Sequence, residues 1–336
     1  MLRRALKRAT LGRRAPARSS LPYEMFDQVA TAKQVEQARK LEKIYHRGQE
    51  KIWDGKAILD NLVKKHGGVH LSPEKTRAVH QIFGMILWGE LAAWKVSAAL
   101  ADALQPMEAK LAATSQAHDE ARHFYVMHDY LQLSNYRAEH LPHAAQRTLE
   151  EVINANTLAK KLIGMQLMIE PVALTLFQTS RERKIEPILT ELLPYYERDE
   201  ARHVALGINY LPELLKGASR ADMADLVLWQ LRMFDYEVRG MKSLENAFRT
   251  LGFNPREVLR LGMAKQLIAF RAMTKEMGEH PAWLDAFKKF FDFRIEVGYP
   301  EDRSSPLPVR LWEAARRTLE GIQETQTSLL TVPETP

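Results

Sequence analysis

Apolar residues recur along most of this chain every three to four positions, which is the spacing of amphipathic α-helices. β-Branched runs bounded by turn residues, which are typical of strands, are scarce, whereas Ala, Leu, Glu, Arg, Lys and Met dominate. A first, mostly polar helical pattern runs from about Ala32 to His66 and ends at Gly67 and Gly68. The sequence therefore predicts an all-α protein.

The longest predicted helices occupy the middle of the chain. Ser72 is a candidate N-cap, and Pro73 follows at the first helical position. Pro106 and Pro187 open two further helices in the same way. The predicted segments are residues 73–104, 106–133, 155–182 and 187–212, with a long connection over residues 134–154 that is broken near Pro142 and can hold a short helix.

The predicted organisation has three parts. A basic arm comprises residues 1–20, a helical domain comprises residues 21–300, and a loop, a short helix and a tail comprise residues 301–336. Within the helical domain, a metal-binding bundle is predicted over about 73–212. Additional amphipathic helices follow over about 219–292, in segments at about 219–249, 255–277 and 281–292.

The charge of the chain is unevenly distributed. The net charge is +6, and residues 1–20 contribute +7 because they hold seven arginines and lysines and no acid, so the remainder carries −1. A near-neutral body argues against a nucleic-acid partner. The arm has three interpretations: a flexible basic tail, an organelle transit peptide, or a docking tail for an acidic partner. We expect a cytoplasmic protein, or one of an organelle matrix if the arm is a transit peptide.

Two further features limit the possible functions. The most apolar stretch, residues 81–105, is interrupted by Glu90, Lys95 and Asp102, so no membrane span is predicted. The chain contains no cysteine, which excludes disulfides, iron–sulfur clusters and cysteine nucleophiles. Any metal must therefore be held by carboxylates and imidazoles.

An internal repeat carries most of the chemical information. His118 begins the sequence His-Asp-Glu-Ala-Arg-His, and Arg198 begins Arg-Asp-Glu-Ala-Arg-His eighty residues later. Glu90 and Glu170 are also eighty residues apart, and each precedes the glutamate of its own Glu-x-x-His by thirty residues. Two similar helical hairpins are the natural interpretation.

The spacing within each half predicts where the side chains meet. A glutamate and a histidine three residues apart point from nearly the same face of a helix. Each earlier glutamate is as far from the intervening turn as the later one, so an antiparallel hairpin brings both to one level. Two stacked hairpins then bring together Glu90, Glu120, His123, Glu170, Glu200 and His203.

This ligand set predicts a pair of metal ions. Four carboxylates and two imidazoles suit iron or manganese, and the pattern is that of di-iron carboxylate helical bundles. A single glutamate or histidine is more often a surface group or a hydrogen-bonded core residue. Glu90 and Glu170, however, lie among apolar residues on their helix faces, where an unpaired carboxylate is costly.

The repeated Asp-Glu-Ala-Arg-His resembles the di-iron members of the ferritin-like superfamily. It is most similar to the oxygen-activating branch, which includes multicomponent monooxygenase hydroxylases, soluble acyl-carrier-protein desaturases and the ribonucleotide reductase small subunit. The resemblance covers residues 73–212 and implies a ferritin-like four-helix bundle with additional flanking helices. It implies two iron ions, with manganese as an alternative at one or both sites.

The resemblance also implies a role for each residue. Every iron would have one terminal glutamate and one histidine, and two glutamates would bridge the ions. The terminal pairs would be Glu90 with His123 and Glu170 with His203, and the bridging, catalytic carboxylates would be Glu120 and Glu200. Two aspartates would each hold a histidine N–H from the opposite hairpin, with an arginine neutralising each aspartate. These residues are Asp119, Asp199, Arg122 and Arg202, and an ordinary surface ion pair is the alternative for Asp119 with Arg122.

Three positions complicate the resemblance. Met127 stands where the ribonucleotide reductase subunit has its radical tyrosine. Glu197, one turn before Glu200, is a tentative further catalytic carboxylate. Gly207 leaves space that would open a substrate cavity or allow close helix packing.

The predicted function is that of a di-iron oxidoreductase. It would activate dioxygen to hydroxylate, desaturate or N-oxidise an apolar or amphipathic small molecule, with electrons from a reductase or ferredoxin. Two alternatives stay open: a ferroxidase that handles iron, and a non-catalytic helical binding protein with structural metals. A homodimer is one use for the additional helices, and walls of a substrate pocket are another.

Overall fold

The computed structural model of the chain describes residues 39–105, 107–276 and 282–329, together with Val29. Over these residues it is mainly helical and contains no β-strand, so the predicted all-α class is confirmed. The basic arm, residues 1–20, lies outside the described residues, as do residues 330–336.

The helices are numbered in chain order. They are α1 Arg39–Glu50, α2 Gly55–His66, α3 Pro73–Ala103, α4 Met107–Gln132, α5 His143–Ile153, α6 Leu158–Leu162, α7 Glu170–Glu182, α8 Pro187–Leu215, α9 Arg220–Ser243, α10 Glu245–Thr250, α11 Pro255–Glu276, α12 Ala282–Gly298 and α13 Leu307–Glu320. A π-helical segment, Ile163–Ile169, joins α6 to α7, so that residues 158–182 form one continuous helix.

Helices α3 and α8 begin with side-chain caps followed by proline. The Ser72 side chain accepts a hydrogen bond from the N–H of Lys75, as its position before a proline predicts. The Glu186 side chain accepts from the N–H of Leu189 in the same way. These caps satisfy N–H groups that would otherwise lack helical partners.

Helices α3 and α4 pack along each other in opposite directions. At the open end of this hairpin, His80 Nε2 lies 2.8 Å from Ser134 Oγ. Midway along it, His123 Nδ1 lies 3.3 Å from Glu90 Oε2. Glu90 and His123 therefore lie at the same level of the hairpin, as expected for helical turns that are equally far from the loop between α3 and α4.

The second hairpin pairs the 158–182 helix with α8. Arg181 Nε donates to Glu197 Oε1 at 2.7 Å near the connecting turn. Further along, Gly207 lies so close to Gln166 that an added Cβ would stand 2.7 Å from the Gln166 Cβ. The missing side chain at position 207 thus allows close helix packing, which was one of the two interpretations of this glycine.

The predicted single helix from about Ala32 to His66 is wrong in its middle. Over the described part, α1 and α2 are separate, because Asp54 caps α2 by accepting from the N–H of Ala57. Trp53 in the break is only 6% exposed. Burial of its large ring stabilises the interruption that the polar pattern of this segment conceals.

Later helix boundaries also differ from the prediction. The segment predicted over 219–249 divides at Leu244 into α9 and α10. Helix α8 continues past Pro212 to Leu215, and α12 continues to Gly298 rather than ending near residue 292. Pro212 lies in the last turn of α8, where a proline removes one backbone hydrogen bond but does not force the helix to end.

The additional helices cover one side of the two hairpins. Helix α11 packs against α7 and α8, while α5 lies between α3 and α9. Aromatic side chains join α9 to α12, where the rings of Phe234 and Phe291 stack with centroids 3.6 Å apart. These helices therefore form a wall beside the helices that carry the predicted ligands.

Two helices are long and apolar enough to cross a membrane by length and composition alone: Pro73–Ala103 and Leu158–Glu182. Their most apolar windows are 56% and 78% buried inside the protein, respectively. The same helices carry the buried Glu90 and Glu170. Core helices of globular proteins have this composition too.

Candidate metal centre

The six predicted ligands meet at the centre of the two hairpins. None is more than 4% exposed. Helix α3 supplies one glutamate, α4 a glutamate and a histidine, the start of α7 one glutamate, and α8 a glutamate and a histidine. The residues are Glu90, Glu120, His123, Glu170, Glu200 and His203.

Their ligand atoms form two overlapping groups. Within each group the candidate atoms all lie within 4.8 Å of one another. One group contains Glu90, Glu120, His123 and Glu200, and the other contains Glu120, Glu170, Glu200 and His203. Glu120 and Glu200 belong to both groups, so the two sets could hold two metal ions with these carboxylates between them.

The histidine rings point the same nitrogen toward this centre. His123 Nδ1 lies 3.3 Å from Glu90 Oε2 and 3.2 Å from Glu200 Oε1. His203 Nδ1 lies 3.0 Å from oxygens of both Glu120 and Glu200. In each ring the Nδ1 atom is thus the candidate ligand, and Nε2 faces outward.

Each outward nitrogen meets an aspartate from the other hairpin. His123 Nε2 lies 3.1 Å from Asp199 Oδ2, and His203 Nε2 lies 3.4 Å from Asp119 Oδ2. An N–H that donates to an aspartate leaves Nδ1 free to bind a metal ion. Asp119 and Asp199 thus each face a histidine of the opposite hairpin.

Two arginines connect the aspartates into a buried network. Arg122 donates to Asp119 Oδ1 at 2.6 Å and to Asp199 Oδ2 at 2.8 Å. Arg202 donates to both aspartates as well. Asp119 and Asp199 are 1% and 0% exposed, so an ordinary surface ion pair is excluded. The arginine charges compensate carboxylates that would otherwise be buried unpaired.

Trp53, which no sequence motif marks, also contacts this network. Its indole Nε1 donates to Asp199 Oδ2 at 2.8 Å. The guanidinium of Arg122 lies 4.7 Å from the centroid of the Trp53 ring. Trp53 stands outside the repeat, so the eighty-residue spacing held no signal for it. An isolated tryptophan in a polar segment was the available hint.

Gln116 is a second missed residue, and it contacts the ligands directly. Its Nε2 donates to Glu120 Oε1 at 3.1 Å and to Glu170 Oε1 at 3.0 Å. Gln166 Nε2 in turn donates to Gln116 Oε1 at 3.0 Å. Gln116 lies one turn before Glu120, so inspection of the neighbouring helical turn could have found it.

The two halves of the repeat differ at the position of Gln116. Tyr196 stands eighty residues after Gln116. Its ring stacks on His123 with centroids 4.3 Å apart, and its hydroxyl donates to the His123 carbonyl at 2.8 Å. One half thus supports a carboxylate with an amide, and the other supports an imidazole with an aromatic ring.

A π-helical segment leads directly into Glu170. Residues 163–168 of this segment are all buried, and Glu170 begins the α-helix that follows. π-Helical turns are rare and occur often at functional sites. The π-helical segment immediately precedes Glu170, and no periodicity of the sequence signals it.

Electrostatics fit a site that holds positive charge. Burial raises the pKa of Glu90 and of Glu170 well above the usual value. Burial alone would lower the histidine values, but surrounding carboxylates raise the pKa of His123 and His203 well above normal. All four directions favour positive charge bound at the centre, whether it is carried by protons or by metal ions.

Several buried atoms at the centre lack hydrogen-bond partners among the described residues. They include Glu120 Oε2, His123 Nδ1 and Glu200 Oε1. Unpaired buried polar atoms are costly, and metal coordination would satisfy all three. The donor atoms therefore fit a metal pair.

Glu197, the tentative further carboxylate, is engaged elsewhere. It is 1% exposed and accepts from Arg181 Nε and Nη2 at 2.7 and 3.3 Å. It belongs to neither group of candidate metal ligands. An ion pair with Arg181 accounts for its burial.

A cavity of about 120 Å³ adjoins the centre. Glu90 and Glu170, one from each hairpin, line it together with mostly apolar side chains of α3, α5, α7, α9 and α11. The additional helices thus enclose space next to two predicted ligands. A small apolar molecule could approach the centre from this side.

Comparison of the sequence with models of protein families gives no match, and comparison with curated proteins gives no significant match.

Proposed function

We propose that this chain is a di-iron carboxylate oxidoreductase with a ferritin-like bundle, and that it uses dioxygen to oxidise a small organic substrate. The observation that carries the proposal is the pair of overlapping ligand groups sharing Glu120 and Glu200, next to an apolar cavity. Four carboxylates with two imidazoles match the ligand pattern of di-iron carboxylate bundles. Manganese at one or both sites is compatible with the same donors.

The ligands would divide between two ions. Glu90 and His123 would hold one ion, Glu170 and His203 would hold the other, and the two shared carboxylates would bridge them. Bound iron would supply the redox chemistry of dioxygen, which protein side chains alone lack.

The protein's own contribution is to preorganise and shield these ligands. Asp119 and Asp199 fix the tautomers and orientations of the histidines, and Arg122 holds both aspartates. Gln116 donates to Glu120 and would hold that carboxylate in place. Burial of all the ligands keeps bulk water away from the reacting atoms.

The cavity favours substrate oxidation over iron handling. An iron-oxidising site needs a route for hydrated ions, for which a polar lining is the suitable chemistry. Apart from Glu90, Glu170 and Glu237, the cavity is lined almost entirely by apolar side chains, which suit the body of an organic molecule better than a hydrated ion. A reductase or ferredoxin would provide the electrons that reductive activation of dioxygen requires.

Anaerobic reconstitution tests the proposal. The purified protein is titrated with ferrous iron, its metal content is measured, and oxygen is then added while optical and Mössbauer spectra are recorded. We expect about two ions per chain and oxygen-dependent spectral changes. Untargeted product analysis with small apolar substrates follows. Binding of two ions that never react with oxygen would instead support a structural metal pair.

A further inference from the structure

One carboxylate on the cavity wall belongs to no part of the metal centre. Glu237 on α9 lines the cavity that Glu90 and Glu170 also line. Its Oε2 accepts a hydrogen bond of 2.9 Å from Gln266 Nε2. Its Oε1 is buried and has no hydrogen-bond partner among the described residues.

Gln266 fixes Glu237 relative to the π-helical segment. Gln266 is 0% exposed, and its Nε2 also donates to the carbonyl of Met168 at 3.1 Å. Both amide hydrogens are therefore used, one for Glu237 and one for the segment that leads into Glu170. The carboxylate is held in place from one side, and its second oxygen is left available.

The other polar groups on the cavity wall are already occupied. The Thr148 hydroxyl donates to the Ala144 carbonyl at 3.0 Å. Tyr236 interacts with the side chain of Arg147 and raises the pKa of that guanidinium. Glu237 Oε1 is thus the group on this wall, away from the predicted metal ligands, that most needs a partner from a bound molecule.

The charges around the cavity restrict the chemistry of that partner. Three glutamates line it, and no lysine, arginine or histidine of the described chain does. Among these protein side chains, a carboxylate or phosphate group would find no cation to pair with. Burial raises the pKa of Glu237 to about 8, because the ionised carboxylate is poorly solvated there. A positively charged partner would stabilise the ionised form.

We infer that this cavity binds a small apolar amine, with the amino group on Glu237 and the apolar body extending toward Glu90 and Glu170. The inference rests on the proposed function in one respect, namely that the molecule bound there is the substrate. Glu237 is a specificity-determining residue on this account, and Gln266 is the residue that positions it.

A matched series of probes tests the choice of head group. The cavity of about 120 Å³ is smaller than the engineered cavity of about 150 Å³ that admits benzene, so short alkyl compounds are appropriate. The probes are n-butylamine, 1-butanol and butyrate, which have similar chains. Protein labelled at methionine methyl groups and loaded with diamagnetic Zn²⁺ is titrated by NMR, with Met85 and Met241 on the cavity wall as reporters.

We expect n-butylamine to bind at least about tenfold more tightly than the alcohol or the acid, because an ion pair is stronger than a neutral hydrogen bond. Glu237→Gln should remove this preference and leave binding of 1-butanol within about threefold of wild type, as the cavity volume is unchanged. Glu213→Gln, at an exposed position, is the control and should behave as wild type.

A second variant tests the cavity without changing Glu237, in case Glu237→Gln does not fold. Ala173→Phe should fill the cavity and weaken binding of all three probes, with helicity unchanged. Equal binding of amine and alcohol by wild type, an amine preference that survives Glu237→Gln, or no binding of any probe would each overturn the inference. Titration of metal-free protein separates the two proposals, because amine selectivity there would persist even if the protein proved to bind no iron.

Discussion

Replacement of Glu237 by glutamine should stabilise the folded protein at alkaline pH. The substitution keeps the size of the side chain and its hydrogen bond from Gln266, but it removes the ionisable group. Burial raises the pKa of Glu237 from 4.5 to about 8 in the folded protein. Between these values the folded chain holds a proton that the unfolded chain has lost.

The sign and size of the effect follow from proton linkage. Because the folded state binds more protons, the wild-type free energy of unfolding falls with rising pH by about 1.4 kcal/mol per unit between about pH 4.5 and 8. The upper limit of the accumulated loss is about 5 kcal/mol, and water entering the cavity would reduce it. Below pH 4.5 both states are protonated, and above pH 8 both are ionised, so the difference levels off.

Chemical denaturation of metal-free protein at a series of pH values measures this effect. The stability of Glu237→Gln relative to wild type should rise from about pH 5 to 8 and then remain constant. Glu213→Gln controls for the loss of one exposed carboxylate. Parallel stability curves for wild type and Glu237→Gln would show that Glu237 is already ionised in the folded protein at neutral pH, and would refute the reasoning.

Three further substitutions probe the centre and its packing. Asp199→Asn should weaken metal binding about 10–100-fold, measured by competition with a chelator, while the exposed Asp129→Asn should not. Trp53→Phe removes the indole N–H from Asp199 and should cost about 1.5–3 kcal/mol of unfolding free energy in denaturant titrations. Gly207→Ala should cost about 1–3 kcal/mol by overpacking. Gly89→Ala, where an added Cβ meets nothing within 4 Å, should not be overpacked, and equal losses in both glycine variants would contradict this account.

The parts of the fold that repeat were predictable from the sequence. Equal spacing of Glu90 and Glu120 from their turn identified facing positions, and the same interval applied to Glu170 and Glu200. Helical periodicity and proline positions located the long helices because these signals are local. The six candidate ligands could therefore be named before any distance was known.

Features that depend on a single contact were not predictable. Trp53 reaches Asp199 from a break between two helices, and a polar segment with helical periodicity conceals such a break. The π-helical turn before Glu170 packs against α8 and α11, and these tertiary contacts cannot be recognised from local sequence. Glu237 lies far along the chain from the repeat, so only the tertiary fold brings it to the cavity.

The most direct test of the metal centre is the number of metal ions per chain in wild type and in two ligand variants. Purified, iron-reconstituted protein is analysed by atomic emission after removal of free metal. We predict about two ions per wild-type chain and marked loss in both Glu120→Ala and His203→Ala, with helicity retained. Wild-type-like occupancy in both variants, or no bound metal in the folded wild-type protein, would contradict the assignment.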